Sequence, residues 1–126
     1  MKLEGLEVYN LAMSIGEKIW EIAAQWDYFF KKTVGDQLVR SADSIAANIS
    51  EGYGRFHYQE NKHFCYYARG SLMETKTWLE KSKNRNMISQ EEYDSLNESL
   101  EILHKKLNNY IRSIGPQKNV PMTNDH

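Results

Sequence analysis

Proline is almost missing from this chain. Its two prolines, Pro116 and Pro121, both follow Gly115, so everything earlier is free of the strongest helix breaker. Cysteine is scarcer still: Cys65 stands alone, which excludes an intramolecular disulfide and fits a reducing cytoplasm. No run approaches the roughly 20 apolar residues needed to cross a bilayer. The opening Met1-Lys-Leu-Glu-Gly-Leu-Glu7 lacks the apolar stretch of a secretory signal. The expectation is a cytoplasmic protein without a membrane segment. Period-2 alternation between turn clusters is also lacking, which removes the usual signal for strands. A surplus of positive charge is lacking too: at a net charge of −1, the molecule as a whole has no electrostatic grip on nucleic acid. What remains is a chain of 126 residues, large enough to bury one core without disulfides or metals.

The charge is unevenly placed. Residues 53–86 hold seven basic and three acidic side chains, whereas residues 1–36 and 87–126 each hold four basic and six acidic ones. The middle of the chain is a basic island in an otherwise acidic protein.

Helical periodicity recurs four times. In the last repeat Tyr93, Leu96, Leu100, Leu103, Leu107, Tyr110 and Ile114 follow one another at spacings of three and four, a heptad-like seam. Ser89 and Glu92 form a capping-box pair, Ile88 and Tyr93 a hydrophobic staple, and Gly115-Pro116 the stop. Before it, Phe64, Ala68, Ser71, Leu72, Thr75 and Leu79 share a face of a third helix over roughly residues 58–86. Leu38, Ala42, Ile45, Ile49 and Gly52 make the seam of a second helix, roughly 36–54, rich in small residues that allow close approach. A first helix runs from about Leu6 to Trp26. Short connections around Thr33–Asp36, Gly54–His57 and Asn86–Ser89 favour antiparallel neighbours. The expected fold is an all-α, antiparallel up-down four-helix bundle over residues 1–115, followed by a disordered tail at 116–126.

The first helix has too many apolar residues for one face. Val8, Leu11, Ile15, Ile19, Ile22 and Trp26 fall on one stripe, and Leu6, Tyr9, Met13, Gly16, Trp20 and Ala23 on another. The two are centred roughly 140° apart at 100° per residue. Either the connection carrying Tyr28, Phe29 and Phe30 covers the second stripe, or another subunit does, with Tyr9, Met13 and Trp20 as contact residues. The second alternative makes the protein a homo-oligomer.

The stretch Gln37-Leu-Val-Arg-Ser-Ala-Asp-Ser-Ile-Ala-Ala-Asn-Ile-Ser-Glu-Gly-Tyr-Gly-Arg55 resembles a signature of a bacterial four-helix-bundle family. That family is named after proteins encoded in intervening sequences of large-subunit (23S) ribosomal RNA genes. Tyr67-Ala-Arg-Gly-Ser-Leu-Met-Glu-Thr75 resembles its second signature, and Leu6-Glu-Val-Tyr-Asn-Leu-Ala12 its helix 1 opening. The likeness spans nearly the whole folded chain in the right order. It implies an antiparallel bundle assembled as a ring, a homopentamer. The same architecture recurs in accessory variability proteins of diversity-generating retroelements, which work with a reverse transcriptase and its RNA. Nucleic-acid association is what gene location and these relatives imply. The chain departs from the pattern in lacking the retroelement proteins' strong basicity, and in lacking the expected proline and acidic-Tyr-Gly pattern between helices 1 and 2.

Arg40, Ser44, Asn48, Glu51 and Arg55 form a polar stripe nearly opposite the apolar seam of the second helix. One reading is a solvated face with local ion pairs such as Glu51–Arg55. The other is a subunit contact in which Arg40, Asn48 and Glu51 set register. On the third helix Tyr58, Lys62, Tyr66, Arg69, Met73 and Lys76 share one side. Basic groups interleaved with tyrosines neutralise phosphates and stack on unpaired bases, so Lys62, Tyr66, Arg69 and Lys76, with Arg55, are the candidate RNA contacts. The same side would equally suit another subunit.

Two Glu-x-x-His pairs, Glu60/His63 and Glu101/His104, are reminiscent of di-iron bundles. Helices hinged about Met87 would hold them roughly 20 Å apart at 1.5 Å per residue, so no shared metal is expected. Cys65 and His63 point in different directions on a helix and make no dyad. No catalytic residue, metal or cofactor is expected. Two functions remain: a non-catalytic oligomer associated with RNA or an RNA-handling partner, and a protein-interaction scaffold that binds no nucleic acid.

Overall fold

The computed structural model describes residues 2–116. A 3-10 turn at Leu3–Gly5 leads into helix α1, Glu7–Ala23. Helix α2 is Asp36–Tyr53, α3 is Tyr58–Asn84 and α4 is Gln90–Ser113. No strand occurs among the described residues. The expected tail lies, from residue 117 onward, outside them.

Cross-helix bonds fix the topology. Ser41 and Ser44 on α2 meet Thr75 and Ser71 on α3, so residue numbers rise on one helix as they fall on the other. Arg69, Lys76 and Glu80 on α3 likewise meet Asn108, Glu101 and Tyr93 on α4. Helix α1 packs against α2 and α4, which closes an antiparallel four-helix bundle.

The core follows the apolar seams. Leu38, Ala42, Ile45 and Ile49 of α2 are buried with Ala68, Leu72 and Leu79 of α3 and with Leu96, Leu100, Leu103 and Leu107 of α4. Tyr93 and Tyr110 pack at the edge of this core, and Ile111 takes a buried place of its own. On α1 the buried line is Val8, Ala12, Ile15, Gly16, Ile19 and Ala23. It runs between the two stripes read from sequence, taking Gly16 and Ala23 from the second and adding Ala12, which belongs to neither.

The helix ends follow from side-chain chemistry. The Ser89 hydroxyl accepts from Glu92 N at 3.0 Å and the Glu92 carboxylate accepts from Ser89 N at 2.9 Å, so two orphan donors are satisfied together. Gly115 takes φ +124°, which ends α4 in a conformation that L side chains rarely adopt.

The junction between α1 and α2 differs from expectation. The chain turns at residues 24–27, and Asp27 caps a new helical turn, Tyr28–Phe30, by accepting from Phe30 N at 2.9 Å. A π-helical turn, Lys31–Gly35, then runs straight into α2. Thr33–Asp36, read as a connection, is therefore helical. Thr33 Oγ1 donates to Phe29 O at 2.7 Å, and Gly35 is buried close to Phe30 O and Trp26. Gly35 acts as a close-packing residue here and not as a breaker. Tyr28 and Phe29 point into solvent, and Phe30 meets Trp26 edge-on with ring centroids 6.1 Å apart. The connection thus leaves the large side chains of the second stripe of α1 open: Trp20 is 57% exposed and Met13 42%, whereas Leu6, Gly16 and Ala23 of the same stripe are buried.

Candidate functional site

The basic island of the sequence becomes the turn before α3, the whole of α3 and the first residues after it. Helix α3 starts at Tyr58 because residues 54–57 turn the chain and His57 takes an extended conformation. The buried line Cys65, Ala68, Leu72, Thr75, Leu79 then fixes which sides face out. One flank, toward α4, carries Tyr58, Lys62, Tyr66, Arg69, Met73 and Lys76. The other, toward α2, carries Phe64 and Tyr67.

The α4 flank is more engaged than its sequence suggests. Arg69 donates to Asn108 Oδ1 at 2.8 Å, and its guanidinium lies 5.2 Å from the Tyr66 ring centroid. Lys76 is bonded to Glu101 of α4, and that ammonium holds the Glu101 carboxyl below the usual carboxylate range. Lys62 is half-buried, and Tyr58, Tyr66 and Met73 are exposed. Farther along, Tyr93 donates to Glu80 at 2.6 Å. That hydrogen bond, ahead of burial, pushes the Tyr93 phenol up to about 12. The same bond, with Lys83 beside it, holds Glu80 low.

Arg55 sits on the other flank. It pairs with Glu51 at 2.8 Å and lies 4.7 Å over the Phe64 ring. Phe64 meets Tyr67 edge-on at 5.5 Å, and Phe56 meets His57 edge-on at 5.1 Å. The candidate RNA contacts therefore do not form one patch. Lys62, Tyr66, Arg69 and Lys76 share the α4 flank, and Arg55 stands on the α2 flank. The sequence reading gives Phe64 to the apolar seam, Tyr67 to the second signature and Phe56 to a connection, and assigns none of the three to a site. The available signal was a phenylalanine in a four-residue turn whose job needs no ring.

The candidate assembly residues divide as well. Tyr9 and Met13 line a groove between α1 and α2 floored by Ala12, Gly16, Ala46 and Ala47. Trp20 borders a second hollow farther along the same helix pair, with Ala23, Ala24, Gly35 and Val39. Arg40 pairs locally with Asp36 at 2.9 Å and stands in solvent. Asn48 donates to the Ser44 carbonyl and hydroxyl, both at 2.9 Å, and Ser44 in turn accepts from Ser71 at 2.9 Å. The polar stripe is thus split: Ser44 and Asn48 join a ladder between α2 and α3, while Arg40, Glu51 and Arg55 make pairs within their own segment.

Among the described residues no group of three or more His, Cys, Asp or Glu side chains is arranged to hold a metal ion. Cys65 is fully buried, and burial pushes its thiol up to about 11, which makes it a poor nucleophile at neutral pH. No helix among the described residues is long and apolar enough to cross a membrane.

Comparison with curated proteins gives no match. Among solved structures, a protein of unknown function from the S23 ribosomal protein family of Bacteroides thetaiotaomicron VPI-5482 superposes with a TM-score of 0.75 at 24% identity. The match covers 83% of this chain and 98% of that one, and it shows a shared fold. The sequence itself matches the family described as 23S rRNA-intervening sequence protein over residues 4–109, which takes in all of α1, α2 and α3 and most of α4. By that match, the chain belongs to the 23S rRNA-intervening sequence protein family.

Proposed function

We propose that this protein is a non-catalytic, cytoplasmic, self-assembling bundle that associates with RNA, or with an RNA-handling partner, through the face of α3 that carries Lys62, Tyr66, Arg69 and Lys76, with Arg55 beside it. The observation that carries the reading is the placement of the basic island. Lys62 and Arg69 stand beside exposed Tyr58 and Tyr66 on one flank, with Arg55 on the other. Cations placed beside aromatic faces offer phosphate neutralisation and stacking together, and they do so locally, without a basic molecule. Assembly uses the second stripe of α1. The groove that holds Tyr9 and Met13, and the hollow beside Trp20, suit the packing of another copy, and the family resemblance points to a pentameric ring.

A specific observation favours the scaffold alternative. Arg69, Lys76 and Arg55 each already have a partner in the chain, Asn108, Glu101 and Glu51. Partnered cations are less available to phosphates than their number implies.

Salt dependence separates the two. Each phosphate contact releases condensed counterions, so log K for RNA falls by roughly 0.7–0.9 per contact for each decade of salt. Binding to structured RNA and to duplex DNA is to be measured across a salt series, with solution mass determined in the same buffers. Lys62→Glu is expected to weaken RNA binding about fivefold and to reduce the slope by about one contact. A slope and an affinity both unchanged by Lys62→Glu would remove this face from the RNA reading. An oligomer that ignores nucleic acid at low salt would leave the scaffold.

A further inference from the structure

Phe56 is 92% exposed, the most exposed of the large apolar side chains among the described residues. Burying a phenylalanine stabilises a fold, and the turn at residues 54–57 gains almost none of that here. Nor does the turn need the ring for its geometry, because glycine at position 54 and a caplike residue at 57 would make the same reversal. Its surroundings are specific. The Arg55 guanidinium stands 4.7 Å from the Phe64 ring centroid, Phe64 meets Tyr67 edge-on, and Phe56 meets His57 edge-on. Tyr67 is itself 58% exposed. The result is two groups at one end of the bundle, Tyr67–Phe64–Arg55 and Phe56–His57, joined by the chain itself between Arg55 and Phe56.

The group around Phe64 and Arg55 is held in place by packing beneath it. Gly52 lies so close to α3 that an added Cβ would stand 2.9 Å from the Asn61 carbonyl oxygen and 2.9 Å from Phe64 Cβ. The Arg55 amide donates to Gly52 O at 3.0 Å, and its side chain pairs with Glu51. The platform therefore stands on rigid elements although it is largely in water.

We infer that the turn between α2 and α3 is a stacking platform for unpaired nucleotide bases, with Phe56 as its leading ring and Arg55 beside it. The inference rests on the RNA reading above and narrows it from RNA in general to its single-stranded segments. Aromatic rings and guanidinium planes are the groups that stack on splayed bases, and they tolerate any sequence because every base has a π face. A duplex hides those faces. The cations nearest the turn are Arg55 in the platform and Lys62 in the first turns of α3, on its other flank. The carboxylates of the region are Glu51, which Arg55 holds, and Glu60.

The test uses the full chain and three labelled probes at one salt concentration: a 12-nucleotide unstructured RNA, the same strand carrying abasic positions, and a 12-base-pair RNA duplex. Wild type is expected to favour the base-bearing strand over the abasic one by about tenfold, and Phe56→Ala to remove about that much affinity for the base-bearing strand alone. Phe56→Trp is expected to keep it. Phe56 is in solvent, so loss of folding does not confound the variant. A Phe56→Ala protein that binds the single strand as wild type does overturns the platform. So does one that loses strand and duplex affinity equally, and so does one whose mass in solution falls, since the ring would then belong to a contact between copies. If wild type binds strand and duplex while Phe56→Ala moves neither, stacking fails and the RNA reading stands. If wild type binds none of the probes, both fail.

Discussion

Gly52→Ala is expected to destabilise the protein by about 2 kcal/mol, while the same change at Gly70 is expected to stabilise it by roughly 0.5–1 kcal/mol. In both helices alanine has the better intrinsic propensity, by about 1 kcal/mol in a helix interior. The surroundings decide the sign. At Gly52 the new methyl group would meet Asn61 Oδ1 at 2.7 Å, the Asn61 carbonyl at 2.9 Å and Phe64 Cβ at 2.9 Å. The amide oxygen can swing away, but the other two atoms move only with the α3 backbone. Overpacking of that kind costs about 1–3 kcal/mol or more, which outweighs the propensity gain. At Gly70 nothing lies within 4 Å, and the residue is exposed in the middle of α3. Thermal unfolding of the two variants reads the result: a Tm lower by about 10 °C for Gly52→Ala and a small rise for Gly70→Ala. A Gly52→Ala protein as stable as wild type would mean that α2 and α3 do not touch there. Loss of that contact would also loosen the seat of Arg55 and Phe56.

The fold was largely legible because its signals are local and agree with one another. The α4 seam, the Ser89/Glu92 cap and Gly115 each act within a few residues, and each stands as read. The α2 seam was equally plain, since Leu38, Ala42, Ile45 and Ile49 are buried to 1% or less. The α1–α2 junction was not, because Thr33, Gly35 and Asp36 have the composition of a turn. The cue that would have corrected it was Asp27, a cap residue followed three positions later by the N–H it accepts. Helix α1 misled in another way. Its buried line draws on both stripes, because Ala12, Gly16 and Ala23 are small enough to sit against α2 while Trp20 and Met13 on the same side stay in solvent.

The candidate site was legible only in its charges. Nothing near Arg69 or Lys76 in the chain announces Asn108 or Glu101, which lie 39 and 25 residues away and arrive only when α4 folds back. Likewise Ser44 and Asn48 share the polar stripe of α2 with Arg40 and Glu51, yet Ser71 of α3 captures Ser44 and leaves the charged members to their own neighbours. Periodicity tells which residues share a side of a helix. It does not tell how far round the helix the next element reaches, and here that reach separates engaged cations from free ones.

Trp20→Glu is expected to turn an assembly of this protein into monomers, weakening association by at least about 100-fold, or roughly 3 kcal/mol. Trp20 has the character of an interface anchor: a large ring, 57% exposed, beside a hollow lined by Ala23, Ala24 and Val39. Along α1 from it stand Met13, exposed, and Tyr9, half-buried, over a floor of Ala12, Gly16, Ala46 and Ala47 that lets another helix approach closely. An apolar stripe of this kind is more than the bundle core uses, and the turn at Tyr28–Phe30 leaves it open. A glutamate at position 20 would stay in water in the monomer, so helix content and the cooperativity of unfolding are expected to persist. In an interface the same carboxylate would be desolvated beside one cation, Lys31, and one anion, Asp36, at a net cost. Glu17 and Asp43 line the neighbouring groove that holds Tyr9 and Met13, where burial followed by Glu17 raises Asp43. Sedimentation or light scattering at micromolar concentration is the readout. Equal masses for wild type and Trp20→Glu, both oligomeric, would move the subunit contact off this end of α1. A monomeric wild type would remove assembly through α1 altogether.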